Sequence, residues 1–335
     1  MKQSTDKFWN MNKALFYDTK VQTLAENETS HILQMQNDSG DGLMSFYTVF
    51  PGIFLLFNDF HMKQCQSRFT AGQDMFCIDH CREGRIEQEI ANGAYLYMSA
   101  GDIFFDIRKS GGRHVEFPSS HYHGVSVTFV LDEADKSLQS YIKGFPVKIA
   151  DLKSKYCDGR INMVLQAEAG LERIFSDLYA VPSQIRLPWF RVKIQELLLY
   201  LYALEVPEEH ADRPYFFKDH VEKTKAIHAL MTENLSEHFT LDELSKRFDF
   251  PMTAMKKCFK NIYGDSIFSY MRSYRINQAA VLLRHNREMS VLEIASKMGY
   301  ESPGKFSTAF KTIMGCSPLA YRKKVVEPDK NPPVG

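Results

Sequence analysis

The spacing of apolar positions along the chain predicts a strand-rich segment followed by a helical one. From about residue 43 to residue 131, short apolar runs alternate with turn residues, which is the pattern of half-buried β-strands. The clearest runs are at 54–60, 75–81, 94–98, 103–107 and 125–131. Between them, turns are predicted at 71–74, 92–93 and 100–102, with a further loop at 110–113. Several short strands at this spacing predict a β-sandwich or a small barrel.

From about residue 134 the apolar positions follow the three-and-four spacing of amphipathic helices. A first helix is interrupted by Pro146, and two more are predicted at 161–180 and 188–204. The last of these is apolar almost all round, which favours a buried core helix over the alternative of a dimer surface. The acidic stretch 205–213 predicts a linker.

An internal repeat follows, in which residues 240–270 resemble residues 290–321. Each copy has a hydroxyl residue three positions before a glutamate, the capping-box pattern at a helix N-terminus, and a glycine where a helix should end. The matched pairs are Thr240 and Ser290, Glu243 and Glu293, Phe250 and Tyr300, Phe259 and Phe310, Gly264 and Gly315, Ser266 and Ser317, and Tyr270 and Tyr321.

Each copy therefore predicts a helix, a short turn and a second helix. The second helix has one face in the core and one face free, as in a helix-turn-helix unit that enters the major groove of DNA. A long helix at about 267–285 should join the copies and hold both free faces in a fixed relation, about one DNA turn apart.

Charge is unevenly distributed although the chain is neutral overall. Residues 216–325 carry 18 basic and 11 acidic side chains, a net charge of +7, whereas residues 1–215 carry a net charge of −6. A basic C-terminal domain favours contact with nucleic acid. The six cysteines are too few and too scattered for a disulfide scaffold, and no run of 18 apolar residues or signal-peptide core occurs. We therefore expect a cytoplasmic protein without a membrane span.

The repeat also carries a family signature. It consists of SVLEIA at 290–295, MGY at 298–300, FSTAFK at 306–311, GCSP at 315–318 and YR at 321–322. With these motifs, residues 218–324 closely resemble the DNA-binding domain of AraC/XylS-type regulators, and the stretch 299–306 is most similar to the branch of pyochelin-responsive regulators. The resemblance implies a transcription regulator that binds double-stranded DNA, with RNA polymerase as a further candidate partner. It favours a homodimer, and the alternative is a monomer that binds one site with both reading helices.

The same resemblance implies which side chains contact DNA. Recognition helices are expected at about 252–261 and 303–313, with Ser302 as the N-cap of the second. Base contacts are expected from the free faces, at Thr253, Lys256, Lys257, Lys305, Ser307 and Thr308. Met255, Phe259, Phe306 and Phe310 should point inward. Candidate phosphate contacts are Arg272, Arg275, Arg322, Lys323 and Lys324.

The second recognition helix departs from the family pattern at its start. Pro303 and Gly304 stand where many AraC/XylS-type regulators carry longer polar side chains. This departure predicts that the second helix reads fewer bases and depends more on DNA shape or phosphate contact.

In AraC/XylS-type regulators an N-terminal barrel of cupin type often binds the effector. The resemblance implies the same for this chain, with an unknown small molecule as effector and a mostly apolar pocket. The candidate lining residues are Phe57, Phe60, His61, Tyr95, Tyr97, His121 and His123. The alternative is an N-terminal domain that binds another protein or only dimerises.

A cupin enzyme fused to a DNA-binding domain is a third hypothesis, which the sequence disfavours. His121 and His123 alternate correctly for two metal ligands on one strand face. Cupin enzymes also expect a glutamate four or five residues later, where this chain has Val127 and Thr128. We therefore expect no enzyme activity, no cofactor and no metal ligands.

A second cluster, Cys77, His80 and Cys81, leaves metal binding or redox sensing open as an alternative to ordinary packing. Strand alternation puts the two cysteines on one face and the histidine on the other, and no second Cys/His pair follows at structural-zinc spacing.

The sequence thus predicts an α+β chain of four parts. A cupin-like β-barrel that senses the effector occupies 1–133, and a helical connecting and dimerisation segment occupies 134–215. An all-α DNA-binding domain with two helix-turn-helix units occupies 216–325, and a tail occupies 326–335. Effector binding would act as a population shift between two states of different DNA affinity.

Overall fold

The protein divides into two compact units, residues 1–216 and 217–335. The computed structural model describes residues 20–69, 75–90, 93–108, 111–157, 163–205, 216–286 and 288–326. The predicted turn at 71–74, most of the acidic linker and nearly all of the predicted tail lie outside the described residues.

The first unit contains strands that pair in antiparallel fashion. In chain order these strands are β1 Lys20–Glu26, β2 Ser30–Asn37, β3 Gly40–Phe50, β4 Ile53–His61, β5 Gln64–Phe69, β6 Met75–Ile90, β7 Ala94–Ser99, β8 Asp102–Arg108, β9 Gly111–Glu116, β10 Tyr122–Val130 and β11 Met163–Gln166. A two-residue strand, β12 Phe216–Phe217, stands at the boundary between the units. Its helices are α1 Leu131–Tyr141, α2 Ile149–Cys157, α3 Ala169–Tyr179 and α4 Arg186–Ala203, with a 3₁₀ turn at Ser183–Ile185.

The long strand β6 belongs to two sheets and bends one into the other. Its first half pairs with β8 and β10 in the sheet ordered β1-β2-β3-β4-β10-β6, and its second half pairs with β7 and β9. Gly84 lies at the bend with φ +82°, and a Cβ there would collide with the backbone oxygen of His121. A β-bulge between His123 and Gly124 of β10 lies beside it. The result is a half-barrel.

The two faces of the main sheet bury different cores, because successive side chains of a strand point to opposite faces. One face packs against α1–α4; Ile78, Phe105 and Val127 belong to this helix-covered core, where the Phe105 ring stacks on Tyr156 at 4.1 Å. The other face turns toward the second sheet and buries Phe60 and Phe104. We call these the helix-covered face and the interior face.

Three expectations for this unit were wrong in detail. The helix predicted at 161–180 begins only at Ala169, because Met163–Gln166 forms β11 against β8. Its apolar residues alternate between the two cores, with Met163 in the helix-covered core and Val164 in the interior one. Residues 111–113 of the loop predicted at 110–113 form part of β9, which pairs with β5, and residue 110 lies outside the described residues. Sheet pairing also extends to β1 and β2, ahead of the predicted start near residue 43.

Helix α4 is a core helix on one side only. Its inner face buries Phe190, Ile194 and Leu197, as predicted for a core element. On the outer face Val192, Leu199 and Tyr202 are largely exposed, so its use as a dimer surface stays a prediction. None of the described helices is long and apolar enough to cross a membrane.

The second unit is helical. Its helices are α5 Lys218–Glu233, α6 Leu241–Arg247, α7 Met252–Tyr263, α8 Ile267–His285, α9 Val291–Lys297, α10 Pro303–Met314 and α11 Pro318–Val326. Two pairs of helices, α6–α7 and α9–α10, lie at the positions where the repeat predicted helices. The connecting helix α8 has the predicted bounds.

The two pairs begin with the same hydrogen bonds, so both predicted capping boxes are confirmed. The hydroxyl of Thr240 accepts from the backbone N–H of Glu243 at 3.2 Å, and the Glu243 carboxylate accepts from the Thr240 N–H at 2.7 Å. The Ser290–Glu293 pair repeats this with 3.1 and 2.7 Å. The hydrogen bond from the backbone N–H of the cap residue, followed by the one from its side chain, lowers the pKa of Glu243 and of Glu293. The predicted C-cap glycines have φ values of +90° at Gly264 and +74° at Gly315.

Candidate nucleic-acid interface

The two second helices, α7 and α10, each bury one face and leave the other free. Met255, Phe259, Phe306 and Phe310 are fully buried, as predicted. Five of the six predicted base-contacting side chains are exposed and one, Ser307, is half-buried; the exposed ones are Thr253, Lys256, Lys257, Lys305 and Thr308. The hydroxyl of Ser302 caps α10 by accepting from the backbone N–H of Lys305 at 3.4 Å. Each helix therefore presents hydroxyl and ammonium donors on one surface.

Three further polar side chains lie on these surfaces and were not among the predicted contacts. Lys260 of α7 and Lys311 and Thr312 of α10 are exposed on the turn that follows the predicted contacts. The signal was present in the repeat, where Lys260 and Lys311 occupy matched positions. They extend the cationic surface of each helix by one turn.

The predicted phosphate contacts divide into two groups. Arg272 and Lys323 have exposed side chains. Arg275 donates to the Glu237 carbonyl at 2.6 Å, and burial lowers the pKa of its guanidinium. Arg322 likewise donates to a backbone carbonyl within the unit, that of Met289, at 2.7 Å. These two arginines stabilise the unit itself, and the side chain of Lys324 lies outside the described residues.

The turns before α7 and α10 share a feature that the comparison of the two repeat copies did not reveal. The residue before each matched aromatic has a left-handed backbone, with φ +45° at Asp249 and +77° at Gly299. The Gly299 carbonyl lies 2.7 Å from His238 Nε2, in the segment between α5 and α6. The second turn is thereby tied to the first half of the unit.

The seven side chains predicted to line one effector pocket lie on different faces of the first unit. The rings of Phe57 and His123 both contact Tyr179 of α3, with centroids 5.3 and 5.0 Å away, on the helix-covered face. Phe60 is buried in the interior core. Tyr95 and Tyr97 lie on β7, where the Tyr97 hydroxyl donates to Glu87. His61 and His121 form a separate pair, with ring centroids 4.7 Å apart.

A row of buried polar side chains occupies the interior face instead. Arg108 donates to both carboxylate oxygens of Asp79, at 2.8 and 2.7 Å. Burial acts to lower the pKa of Arg108, but the negative charges of Asp79 and its neighbours outweigh it and raise the pKa. The Cys77 thiol donates to the Thr128 hydroxyl at 3.6 Å. Sequence reasoning missed this cluster because its members come from three strands.

The structure separates the Cys77, His80 and Cys81 cluster. The two cysteines point to the interior face, whereas the ring of His80 stacks on Phe175 of α3 at 4.2 Å. Burial raises the pKa of both thiols to about 12. At neutral pH these cysteines are therefore protonated, and a protonated thiol is a poor nucleophile and metal ligand.

Comparison with known proteins agrees with the geometry of the second unit. A family model described as a helix-turn-helix domain matches residues 244–324. The transposon Tn10 TetD protein of Escherichia coli is 30% identical over 121 residues, which cover 36% of this chain and 84% of TetD. The transcriptional regulator ExsA of Pseudomonas aeruginosa is 28% identical over 133 residues, or 39% of this chain; the match spans only 46% of ExsA.

Among solved structures, the DNA-binding domain of AdpA in complex with a target DNA is 27% identical and matches 32% of this chain and 97% of that domain. The TM-score is 0.30, so this likeness supports no argument about the whole chain. The family model and the relatives agree with the signature of the repeat. On this evidence the chain belongs to the AraC family of DNA-binding transcriptional regulators.

Proposed function

We propose that the protein is a sequence-specific regulator whose helices α7 and α10 enter successive major grooves of double-stranded DNA. The observation that carries this proposal is the duplication of one helix pair, with the same caps and with exposed lysine and threonine side chains on both second helices. Such donors match the base edges of the major groove. The net charge of +7 over residues 216–325 supports the same partner.

The connecting helix α8 supports simultaneous contact by both helices. It has 19 residues, which at about 1.5 Å per residue make a rod of roughly 28 Å. Its buried residues include Ile276, Ala279 and Leu283, which pack against α9 and α10 in one core. The second half of α8 is thus held by the second pair. This function places the protein in the cytoplasm, where its DNA target is found.

The proposal predicts a specific defect when Lys305 is replaced. A binding site is first selected from random DNA with the full-length chain, and dissociation constants are then measured on the selected site and on random DNA. Lys305→Ala should weaken binding to the selected site by roughly 5- to 100-fold, since one good base contact contributes ~1–3 kcal/mol. Binding to random DNA should change little.

Lys218→Ala is the matched control, because it removes the same charge from an exposed position on α5, outside both helix pairs. An equal loss on both DNAs for Lys305→Ala would assign this side chain to phosphate contact. Unchanged binding by Lys305→Ala and by Lys256→Ala on α7 would contradict insertion of these two faces into the grooves.

We further propose that the half-barrel is a cupin-like sensor that binds a polar small molecule at its interior face. Supporting this, Asn58 and Ser126 lie beside the Asp79–Arg108 pair and are joined by a hydrogen bond of 3.3 Å. The Thr48 hydroxyl and Arg108 Nε are buried without a hydrogen-bond partner in the described part of the chain. Buried polar groups are usually satisfied, so orphaned ones here favour a polar ligand.

Ligand binding at this face should be detectable as a rise in thermal stability. The full chain is screened against polar metabolites, and a compound that binds only the folded state raises the unfolding midpoint. Thr128→Val, which keeps the shape but removes the hydroxyl, should abolish the rise, and the ligand should change affinity for the selected DNA site. A rise that leaves DNA affinity unchanged would contradict gating, and the N-terminal unit would then serve protein binding or dimerisation.

A further inference from the structure

Strand register places two histidines and an aspartate together at one end of β4 and β10. These strands are antiparallel, with Tyr122 opposite Phe60 and His123 opposite Asp59. His121 therefore stands across from His61, and Asp59 shares the face of His61 because it lies two residues earlier on the same strand. This face is the one that carries Phe57 and His123, and thus not the interior face proposed for the effector.

The side chains converge as the register requires. One ring nitrogen of His61, one of His121 and one carboxylate oxygen of Asp59 all lie within 4.8 Å of one another. His61 Nε2 is 3.2 Å from Asp59 Oδ1. The two imidazole centroids are 4.7 Å apart, at an interplanar angle of 35°. No other group of three or more such ligands was found in the part of the chain that the structure describes.

The two nitrogens of His121 have different surroundings. Nδ1 is buried and has no hydrogen-bond partner among the described residues. Nε2 is 3.7 Å from a carboxylate oxygen of Glu83, which β6 carries next to the Gly84 bend. A histidine that binds a metal through one nitrogen commonly has a carboxylate near the other.

We propose that Asp59, His61 and His121 bind one divalent transition-metal ion, with zinc as the ion to test. Imidazole nitrogens with a carboxylate oxygen suit Zn²⁺, Ni²⁺ or Cu²⁺, whereas Mg²⁺ and Ca²⁺ prefer all-oxygen sites. Three protein ligands leave further coordination positions for water or another carboxylate. Glu83 is placed either to complete the set or to hold the far nitrogen of His121.

The site is built at the surface. The side chains of Asp59, His61 and His121 are 46%, 60% and 31% exposed. A metal can therefore enter without opening the core, and substitutions at Asp59 and His61 should leave the fold intact. The neighbouring His123 contacts Tyr179 of α3 on the same face. Metal binding would thus fix the end of β4 and β10 beside a helix of the same unit.

Isothermal titration calorimetry of the full, metal-stripped chain with Zn²⁺ tests the proposal. Wild type should bind one equivalent, and His61→Ala, His121→Ala and Asp59→Asn should each weaken the affinity at least tenfold. Mg²⁺ should not compete. Substitution by Co²⁺ gives a second readout, since d–d absorption bands report nitrogen and oxygen ligation and should be lost in the same variants.

His114→Ala is the matched control. His114 and Glu116 form another surface histidine–carboxylate pair, also with a separation of 3.2 Å, but no third ligand converges on it among the described residues. The control variant should bind zinc as wild type does. Failure of wild type to bind zinc, or an equal effect of His61→Ala and His114→Ala, would overturn the proposal and leave Asp59–His61 an ordinary surface ion pair.

Discussion

Replacement of Gly299 by alanine is expected to destabilise the second helix-turn-helix pair by roughly 2–4 kcal/mol. Two costs combine. The backbone at this turn is left-handed, with φ +77°, which costs an L-residue with a Cβ about 1–2 kcal/mol. The added Cβ would also lie 2.8 Å from the carbonyl oxygen of Leu235 and 3.2 Å from His238 Nε2. The turn must therefore move, and the 2.7 Å contact between His238 and the Gly299 carbonyl is strained or lost.

Gly315→Ala separates these two costs. Gly315 has nearly the same φ, +74°, but a Cβ there meets nothing within 4 Å. Only the backbone cost of about 1–2 kcal/mol should remain. Hydrogen–deuterium exchange of peptides from α9 and α10 measures both variants, together with affinity for the selected DNA. Equal loss of protection in both variants would show that the contact with the segment before α6 contributes nothing.

Removal of the Asp79 carboxylate should have the largest effect in the first unit. Asp79→Ala leaves Arg108, which is three-quarters buried, without its two-pronged partner. Breaking a buried ion pair on one side costs about 3–5 kcal/mol. The low end of this range applies to Arg108, because the Asp106 carboxylate remains 4.0 Å from its Nε. Both tryptophans, Trp9 and Trp189, precede residue 217, so tryptophan fluorescence during denaturant unfolding reports this unit selectively.

A double variant distinguishes an uncompensated charge from a simple loss of packing. Asp79→Leu combined with Arg108→Met removes both charges at similar volume, and replacing a buried pair in this way is often neutral or stabilising. The double variant should therefore unfold at a higher denaturant concentration than Asp79→Ala. If the double variant is less stable than Asp79→Ala, the attraction between Asp79 and Arg108, and not the cost of an unpaired arginine, determines the loss of stability.

The second unit could be predicted closely because its signals are local. Capping boxes, helix-terminating glycines and apolar spacing all act within one or two turns of chain, and they gave the bounds of α8 correctly. The missed feature was the left-handed residue before each matched aromatic. Aspartate and glycine differ in type, yet Asp249 and Gly299 share a backbone conformation, so the comparison of residue types did not reveal it.

The first unit was harder because its determinants are distant in sequence. Residues 163–166, predicted as helix, form β11 because they pair with β8, and residues 111–113, predicted as loop, belong to β9 because they pair with β5. The pocket prediction assembled aromatic and histidine residues without knowledge of strand neighbours or faces. Phe57 and Phe60 differ by an odd number of positions and so point to opposite faces. The approach of Asp59 and His61 to His121 required the register of β4 on β10, which the sequence does not show.

If α7 and α10 contact DNA at the same time, the length and rotation of helix α8 set the spacing between the two half-sites that they bind. One inserted base pair moves the second half-site by about 3.4 Å and rotates it by roughly a tenth of a turn. A residue inserted into α8 would rotate the second pair by about 100° and advance it by about 1.5 Å. The two halves of one binding site should therefore tolerate no change in spacing, whereas the distance between sites occupied by separate molecules is free to vary. Operators can accordingly evolve by shifting whole sites, while the phase within each site is set by this one helix.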